Sequence, residues 1–83
     1  SWNVIERGYA LTLQFVNETN STIYIEEGSD VNGVSNKTQI SPYDIITITI
    51  NNIDEVIHWV PTSYVKYTDP NTNQEVKVYL KDI

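Results

Sequence analysis

The chain has 83 residues, no cysteine, no methionine and a formal net charge of −6. This length predicts one domain over residues 1–83, and the lack of cysteine excludes disulfides and cysteine-based zinc sites. The negative charge argues against nucleic-acid binding, because lysine and arginine must face the phosphates. It also disfavours an anionic membrane surface, and no apolar run reaches the ~20 residues that cross a bilayer.

The first seven residues, SWNVIER, precede Gly8, a residue at which the backbone bends easily. We predict that residues 1–7 form a separable N-terminal strand. In this hypothesis Trp2, Val4 and Ile5 complete a sheet, more readily that of a neighbouring copy than the chain's own, and Trp2 is the anchoring side chain. The alternative is a monomer in which this segment pairs within its own sheet.

Apolar residues then alternate with polar ones, which indicates strands with one buried face. The predicted inward-facing residues are Tyr9, Leu11, Leu13 and Phe15, then Ile23 and Ile25, then Ile46, Ile48 and Ile50, and finally Val76, Val78 and Leu80. The segments EVIHWV and SYVKYT are apolar on both sides and predict strands covered on two faces. Turn-forming residues mark breaks at 17–21, 28–36, 41–44, 51–54 and 68–71.

Six or seven short strands at this spacing predict an all-β fold with at most one helical turn. The architecture we expect is a small antiparallel β-sandwich, Ig-like or jelly-roll-like, with a small barrel as the alternative. If Ile48 lies in its core, truncation to alanine should cost about 2–4 kcal/mol.

The stretch NETNST contains two acceptor patterns for N-linked sugar, at Asn17 and Asn20, and a third occurs at Asn36. All three lie in predicted loops, where modification is sterically feasible. The same residues also suit turns, because their short side chains hydrogen-bond to nearby backbone. The pattern is therefore compatible with a secreted glycoprotein and equally with plain turn chemistry.

His58 is the only histidine, and we place it on a strand between Val56 and Val60. No serine lies in a nucleophile-elbow context, so we interpret His58 as structural and expect no enzymatic activity. The acidic stretch from Glu26 to Asp30 does not have the spacing of a helix-loop-helix calcium site. We therefore expect no metal and no cofactor.

The aromatic residues suggest a further hypothesis, a carbohydrate-binding module. Tyr24 and Tyr79 fall on predicted outward faces, where their rings could stack on sugar. Aromatic residues are also ordinary in sheets, so this pattern is weak.

Together these observations favour a non-enzymatic surface or assembly module, with a self-assembling filament or coat subunit joined by strand addition as the leading hypothesis. The expected partners are copies of the same chain, outside the cell or on a cell or virion surface; a cytoplasmic location is the alternative. A small acidic inhibitor, for example of viral origin, that blocks a basic site on a partner is a second function hypothesis. Carbohydrate binding is the third.

Overall fold

Two antiparallel sheets make up the computed structural model, which describes residues 1–8, 10–50 and 53–83, with backbone only at positions 53 and 55. The described strands are β1 (Trp2–Arg7), β2 (Leu11–Val16), β3 (Ile23–Ser29), β4 (Gly33–Ile40), β5 (Ile45–Ile50), β6 (Ser63–Thr68) and β7 (Glu75–Tyr79). A helix, α1 (Ile53–Trp59), separates β5 from β6, and a short 3₁₀ turn (Leu80–Asp82) follows β7. The three-stranded sheet has the order β1-β2-β5, and the four-stranded sheet the order β4-β3-β6-β7.

The core lies between the two sheets, which confirms the small all-β sandwich. Leu13 from the first sheet and Ile25 and Val65 from the second are fully buried. Phe15 joins the layers, because its ring meets that of Tyr67 at 5.1 Å with the planes steeply inclined. Such edge-to-face contacts add to the free energy gained by burying apolar area.

The predicted alternation of β2 and β3 is confirmed. Leu11, Leu13 and Phe15 are buried while Thr12, Gln14 and Val16 are half-buried, because successive side chains of a strand point to opposite faces. Tyr9, predicted to share the buried face, lies outside the described residues. Leu80 is also buried, whereas the inward-facing isoleucines of β5 and valines of β7 are only half-buried: Ile46, Ile48, Ile50, Val76 and Val78.

Strand β4 is a correction to the predicted loop over residues 28–36. It runs from Gly33 to Ile40 and pairs antiparallel with β3, with Ile23 opposite Ile40 and Glu27 opposite Asn36. Its sequence, GVSNKTQI, is polar because the strand lies at the edge of its sheet and is mostly exposed. A strand whose inward face is buried only towards its last residue, Ile40, gives no alternation signal.

Two predictions are wrong at helix α1. The sequence predicts a strand at EVIHWV and at most one helical turn in the chain, whereas α1 has seven residues. Asp54 and His58 lie at its beginning and its end, where the helix dipole favours an acidic and a basic side chain respectively. Val56 and Val60, four residues apart, both pack against the core. Pro61 follows, and its ring disfavours helical backbone in the residue before it.

Two predicted bends are confirmed. Gly8 adopts φ 146°, a conformation that side chains disfavour, where the chain leaves β1. At the corner between β4 and β5 the Asp44 N–H donates to the Ser41 carbonyl at 3.1 Å, with Tyr43 at φ 59°. This corner carries the chain from one sheet to the other. Within the described ranges, no helix has the length and apolar character needed to span a bilayer.

Candidate functional site

The N-terminal strand completes the chain's own sheet, which corrects the expectation that it pairs more readily with a neighbour. Trp2 lies opposite Phe15, their ring centres are 5.0 Å apart, and Val4 lies opposite Leu13. The Val16 N–H donates to the Ser1 carbonyl at 2.8 Å. Val4 and Ile5 are nevertheless exposed, at a bulge on the outer edge.

The two sheets together have four edges, and three of them carry features that discourage pairing with another chain. Strand β1 has the bulge and two charges, Glu6 and Arg7. Strand β4 contains Lys37, and β7 contains Glu75 and Lys77. Charged side chains and bulges are common protections of exposed strand edges. Strand β5 is the fourth edge and differs from the others.

Strand β5 reads IITITI, six β-branched residues without charge, proline or glycine. It is the last strand in the order β1-β2-β5. Thr47 and Thr49 face outward and are exposed, and Ile45 is also exposed. A short uncharged run of high β-propensity at a sheet edge is the signature of a segment that pairs with other chains.

A cleft opens between the sheets beside β5. It holds about 180 Å³, and both apolar and polar residues line it. The apolar ones are Ile48, Ile50, Val65 and Leu80, and the polar ones include Glu27, Ser35 and Ser63. We call it the open-side cleft. It explains why the isoleucines of β5 face inward without being fully buried.

The inward side of β4 is only partly covered near the same place. Ile40, Thr38 and Asn36 share one face of β4, because they pair with Ile23, Ile25 and Glu27. Along this face burial decreases from Ile40, which is 1% exposed, through half-buried Thr38 to exposed Asn36. The three-stranded sheet therefore ends before it covers the four-stranded one, and a fourth strand beside β5 would extend that cover.

The outer face of the four-stranded sheet carries ion pairs. Lys66 Nζ lies 3.5 Å from Glu26 Oε2 and 4.0 Å from Glu75 Oε1, and Lys37 Nζ lies 3.7 Å from Glu26 Oε1. Exposed pairs of this kind contribute little stability each. The neighbouring carboxylates balance these lysines, so this part of the face has mixed charge.

Tyr79 is engaged by its neighbours. Its hydroxyl donates to Asp30 Oδ1 at 3.0 Å, and Lys77 Nζ lies 3.7 Å from the same oxygen and 4.2 Å from the centre of the Tyr64 ring. A hydrogen bond to the Tyr79 side chain, with the negative charge of Asp30, raises the pKa of Lys77. Lys77 and Lys81 lie over the Tyr79 ring, so this ring is a poor platform for stacking.

Tyr24 remains open, as the alternation predicts. It is 66% exposed and lines a shallow groove of about 230 Å³ together with Glu26, Lys66 and Glu75. An aromatic ring next to several polar groups is the kind of lining that small polar ligands use.

The three sugar-acceptor asparagines have different environments. Asn17 is fully buried, and its Nδ2 donates to the Ser21 carbonyl at 2.8 Å and the Ser41 carbonyl at 3.1 Å. A sugar on this nitrogen is incompatible with the fold, which corrects the expectation of an accessible loop site. Asn20 is exposed between β2 and β3, and Asn36 is exposed but lies within β4 rather than in a loop.

His58 lies exposed on α1 rather than on a strand. In the parts of the chain that the structure describes, no group of three or more histidine, cysteine or acidic residues is arranged to hold a metal ion. The expectation that the protein is not an enzyme stays a prediction.

Comparisons of the chain with protein-family models, with curated proteins and with solved structures found no match. Function must therefore be inferred from the geometry of the chain itself. Two features remain: the uncharged edge of β5 with the open-side cleft, and the groove beside Tyr24.

Proposed function

We propose that the protein is a non-enzymatic, self-assembling subunit of an extracellular or surface coat or filament, and that its copies join by strand addition at β5. The observation that carries the proposal is the contrast between the edges. Three have charges or a bulge, whereas β5 is uncharged and lies next to a cleft that Ile48, Ile50, Val65 and Leu80 line in part.

Strand addition at this edge has two sources of free energy. The backbone N–H and C=O groups on the outer side of β5 can pair with an incoming strand in register. The inward side chains of that strand would then lie against the open-side cleft and bury apolar surface, including more of Ile48 and Ile50. The N-terminal segment pairs with β2 and forms the opposite edge of the same sheet.

The test is a charge placed on the edge. Asn3, Gln14 and Thr47 form one row across the outer face of the three-stranded sheet, so Asn3 and Thr47 lie on opposite edges. Thr47→Lys places an ammonium group on β5, where desolvation opposes an added strand. Asn3→Lys makes the same change of charge on β1 and is the matched control.

We expect sedimentation velocity to show concentration-dependent association of the parent and of Asn3→Lys, and a monomer for Thr47→Lys. Micrographs of the parent at high concentration should show ordered assemblies. A parent that stays monomeric at millimolar concentration, or a Thr47→Lys variant that associates as the parent does, contradicts the proposal. Circular dichroism should confirm that both variants are folded.

Carbohydrate binding at Tyr24 is a second candidate function, supported by the exposed ring and the polar groove beside it. Titration calorimetry with a panel of oligosaccharides tests it. A bound sugar should lose most of its affinity in Tyr24→Ala and keep it in Tyr43→Ala, because Tyr43 is equally exposed but does not line the groove. No heat with any sugar in the panel would count against this candidate.

The acidic-inhibitor hypothesis stays a prediction with less geometric support. Glu26, Asp30 and Glu75 are paired with lysines, so part of the acidic surface is already balanced within the chain. A stable 1:1 complex with a basic protein would favour it over self-assembly.

A further inference from the structure

We infer that the first assembly step is a two-fold symmetric dimer in which the β5 strands of two copies pair antiparallel, with Ile48 of each copy opposite Ile48 of the other. This inference rests on the proposed function, and it specifies which strand is added, in which direction and in which register. Because a two-fold contact is closed, it occupies β5 of both copies, and growth beyond the dimer uses another surface.

The partner strand is β5 itself because its sequence is self-complementary. A two-fold contact uses the same patch on both copies, so the patch must match its own reverse. The run Ile46-Thr47-Ile48-Thr49-Ile50 reads the same in both directions. The alternative edge, β1, runs parallel to β5 within the sheet, since both are antiparallel to β2. Copies in the same orientation would therefore join β5 to β1 as a parallel pair, which is slightly less stable per residue.

The faces of the sheet restrict the register. Residues directly opposite each other in an antiparallel pair point to the same face. The isoleucines of both copies stay on the inward face only if one residue lies directly opposite the same residue of the other copy. The two-fold axis then passes midway between these two equivalent residues. An axis between Thr47 and Ile48 would place threonine opposite isoleucine and turn one copy's core face toward solvent.

Among the allowed registers, the one centred on Ile48 matches the most residues by type. It places Ile46 opposite Ile50 and Thr47 opposite Thr49 in both directions, so every pair from 46 to 50 joins identical residue types. A register centred on Thr47 also keeps the faces matched, because Ile45 is exposed on the face that carries the threonines. It places Ile45 opposite Thr49 of the other copy, however, and so pairs two different residue types.

The dimer also explains the uncovered surface beside β5. The added strand lies roughly 4.8 Å beyond β5 and continues the sheet over the inward side of β4. Its isoleucines then flank the open-side cleft, where Ile48 and Ile50 are half-buried in the monomer. The junction itself contains no charged residue, although each copy carries a net charge of −6.

The absence of cysteine allows a direct test with single thiols. Thr47→Cys and Thr49→Cys are exposed substitutions on the outer face. In the Ile48-centred dimer, position 47 of one copy lies directly opposite position 49 of the other, within the Cα separation of about 4.4–6.8 Å that a disulfide needs. Identical positions lie diagonally, at roughly 7–8 Å, which is too far for an unstrained bridge.

We expect that mild oxidation of an equal mixture gives the mixed Thr47→Cys/Thr49→Cys disulfide in at least about tenfold excess over either symmetric disulfide. Non-reducing mass spectrometry distinguishes the three species, because the two variants are isotopically labelled differently. A statistical mixture of the three species, or a symmetric Thr47→Cys product in excess, overturns the inference.

The association of Thr47→Lys separates failure of the register from failure of the proposed function. If Thr47→Lys blocks association but the mixed disulfide is not in excess, strand addition at β5 stands and the two-fold register is wrong. If Thr47→Lys associates as the parent does, both the register and the proposed function are wrong.

Discussion

At the residue scale, Asn17 is a fully buried polar side chain that connects two loops. Its Nδ2 donates to the carbonyls of Ser21 and Ser41 and, at 3.4 Å, to that of Ile40. Its Oδ1 accepts from the Thr19 N–H at 3.0 Å and from the Thr19 hydroxyl at 2.7 Å. One amide thereby fixes the loop after β2 to the corner after β4. The amide is fully buried, whereas most of its partners are part-buried, so loss of the amide removes several hydrogen bonds at once.

We predict that Asn17→Ala lowers the free energy of unfolding by about 3 kcal/mol, since it leaves several backbone groups without partners. Urea denaturation followed by tryptophan fluorescence measures the loss. Asn20→Ala is the control, because Asn20 is exposed in the same loop, and it should change stability by less than about 0.5 kcal/mol. Equal effects of the two substitutions would show that the Asn17 network is not stabilising.

Tyr67 gives a prediction for alkaline pH. Burial, and secondarily the negative charge of Asp69, raise the pKa of the Tyr67 phenol above its ordinary value of 10.0. As pH rises, the Tyr67 phenol therefore ionises in the unfolded chain before it does so in the folded one. The group has no effect on folding stability well below about pH 10, and above that pH its ionisation lowers the stability of the folded state. The pKa of Lys77 is also raised from its ordinary value of 10.5. Loss of the Lys77 charge at higher pH therefore lowers the stability of the folded state as well.

The expected result is that the urea midpoint of the parent falls between about pH 8 and pH 11, and that Tyr67→Phe reduces this fall. Tyr24→Phe removes a hydroxyl from an exposed ring and is the control. A Tyr67→Phe variant with the same alkaline decline as the parent would assign the effect to other groups.

At the scale of elements, β2 and β5 differ although both alternate apolar and polar residues. Strand β2 lies between β1 and β5, and its Leu13 is fully buried. Ile48 lies directly opposite Leu13 on β5 but is only half-buried, because it borders the open-side cleft. The position of a strand in the sheet therefore decides how much its inward residues contribute to the free energy of unfolding.

We predict that Leu13→Ala costs about 3–4 kcal/mol of unfolding free energy, as truncation of a fully buried leucine does. Ile48→Ala should cost less in the monomer, about 1–2 kcal/mol. This value replaces the roughly 2–4 kcal/mol expected from the sequence, because Ile48 is half-buried rather than part of the core. Denaturation at low protein concentration measures both values. A larger loss for Ile48→Ala than for Leu13→Ala would mean that the cleft is closed in solution.

The sequence predicts strands well wherever one face is buried, as in β2 and β3. It fails for β4, whose polar residues carry no period, and for α1, whose seven residues are too few to separate a helix from a buried strand by periodicity. Asp54, His58 and Pro61 mark the ends of α1 and could have identified it. The IITITI pattern predicts a strand, but its position at an edge depends on pairings with distant residues.

At the scale of the whole molecule, the net charge of −6 opposes any association of copies. We therefore predict that dimer formation strengthens with salt, because the β5 junction lacks ion pairs that salt would weaken. Raising ionic strength from about 0.01 to 0.15 M shortens the screening length from roughly 30 to 8 Å and should tighten the dimer about three- to tenfold.

Sedimentation equilibrium at several salt concentrations measures this dependence, with Thr47→Lys as a variant that should stay monomeric throughout. A dimer that weakens as salt rises would point to an interface built on opposite charges, such as the lysine-bearing outer face of the four-stranded sheet.

The buried amide of Asn17 also has a consequence for biosynthesis. A secretory pathway that attaches sugar to nascent chains would meet the Asn17-Glu18-Thr19 acceptor before the strands have closed around it. The same nitrogen then has two exclusive fates, a glycan or the contacts with Ser21 and Ser41. In such a host we expect the exported, folded chains to carry sugar only at Asn20 or Asn36, and chains modified at Asn17 to be retained and degraded. The rate at which this corner folds would then set the yield of the protein.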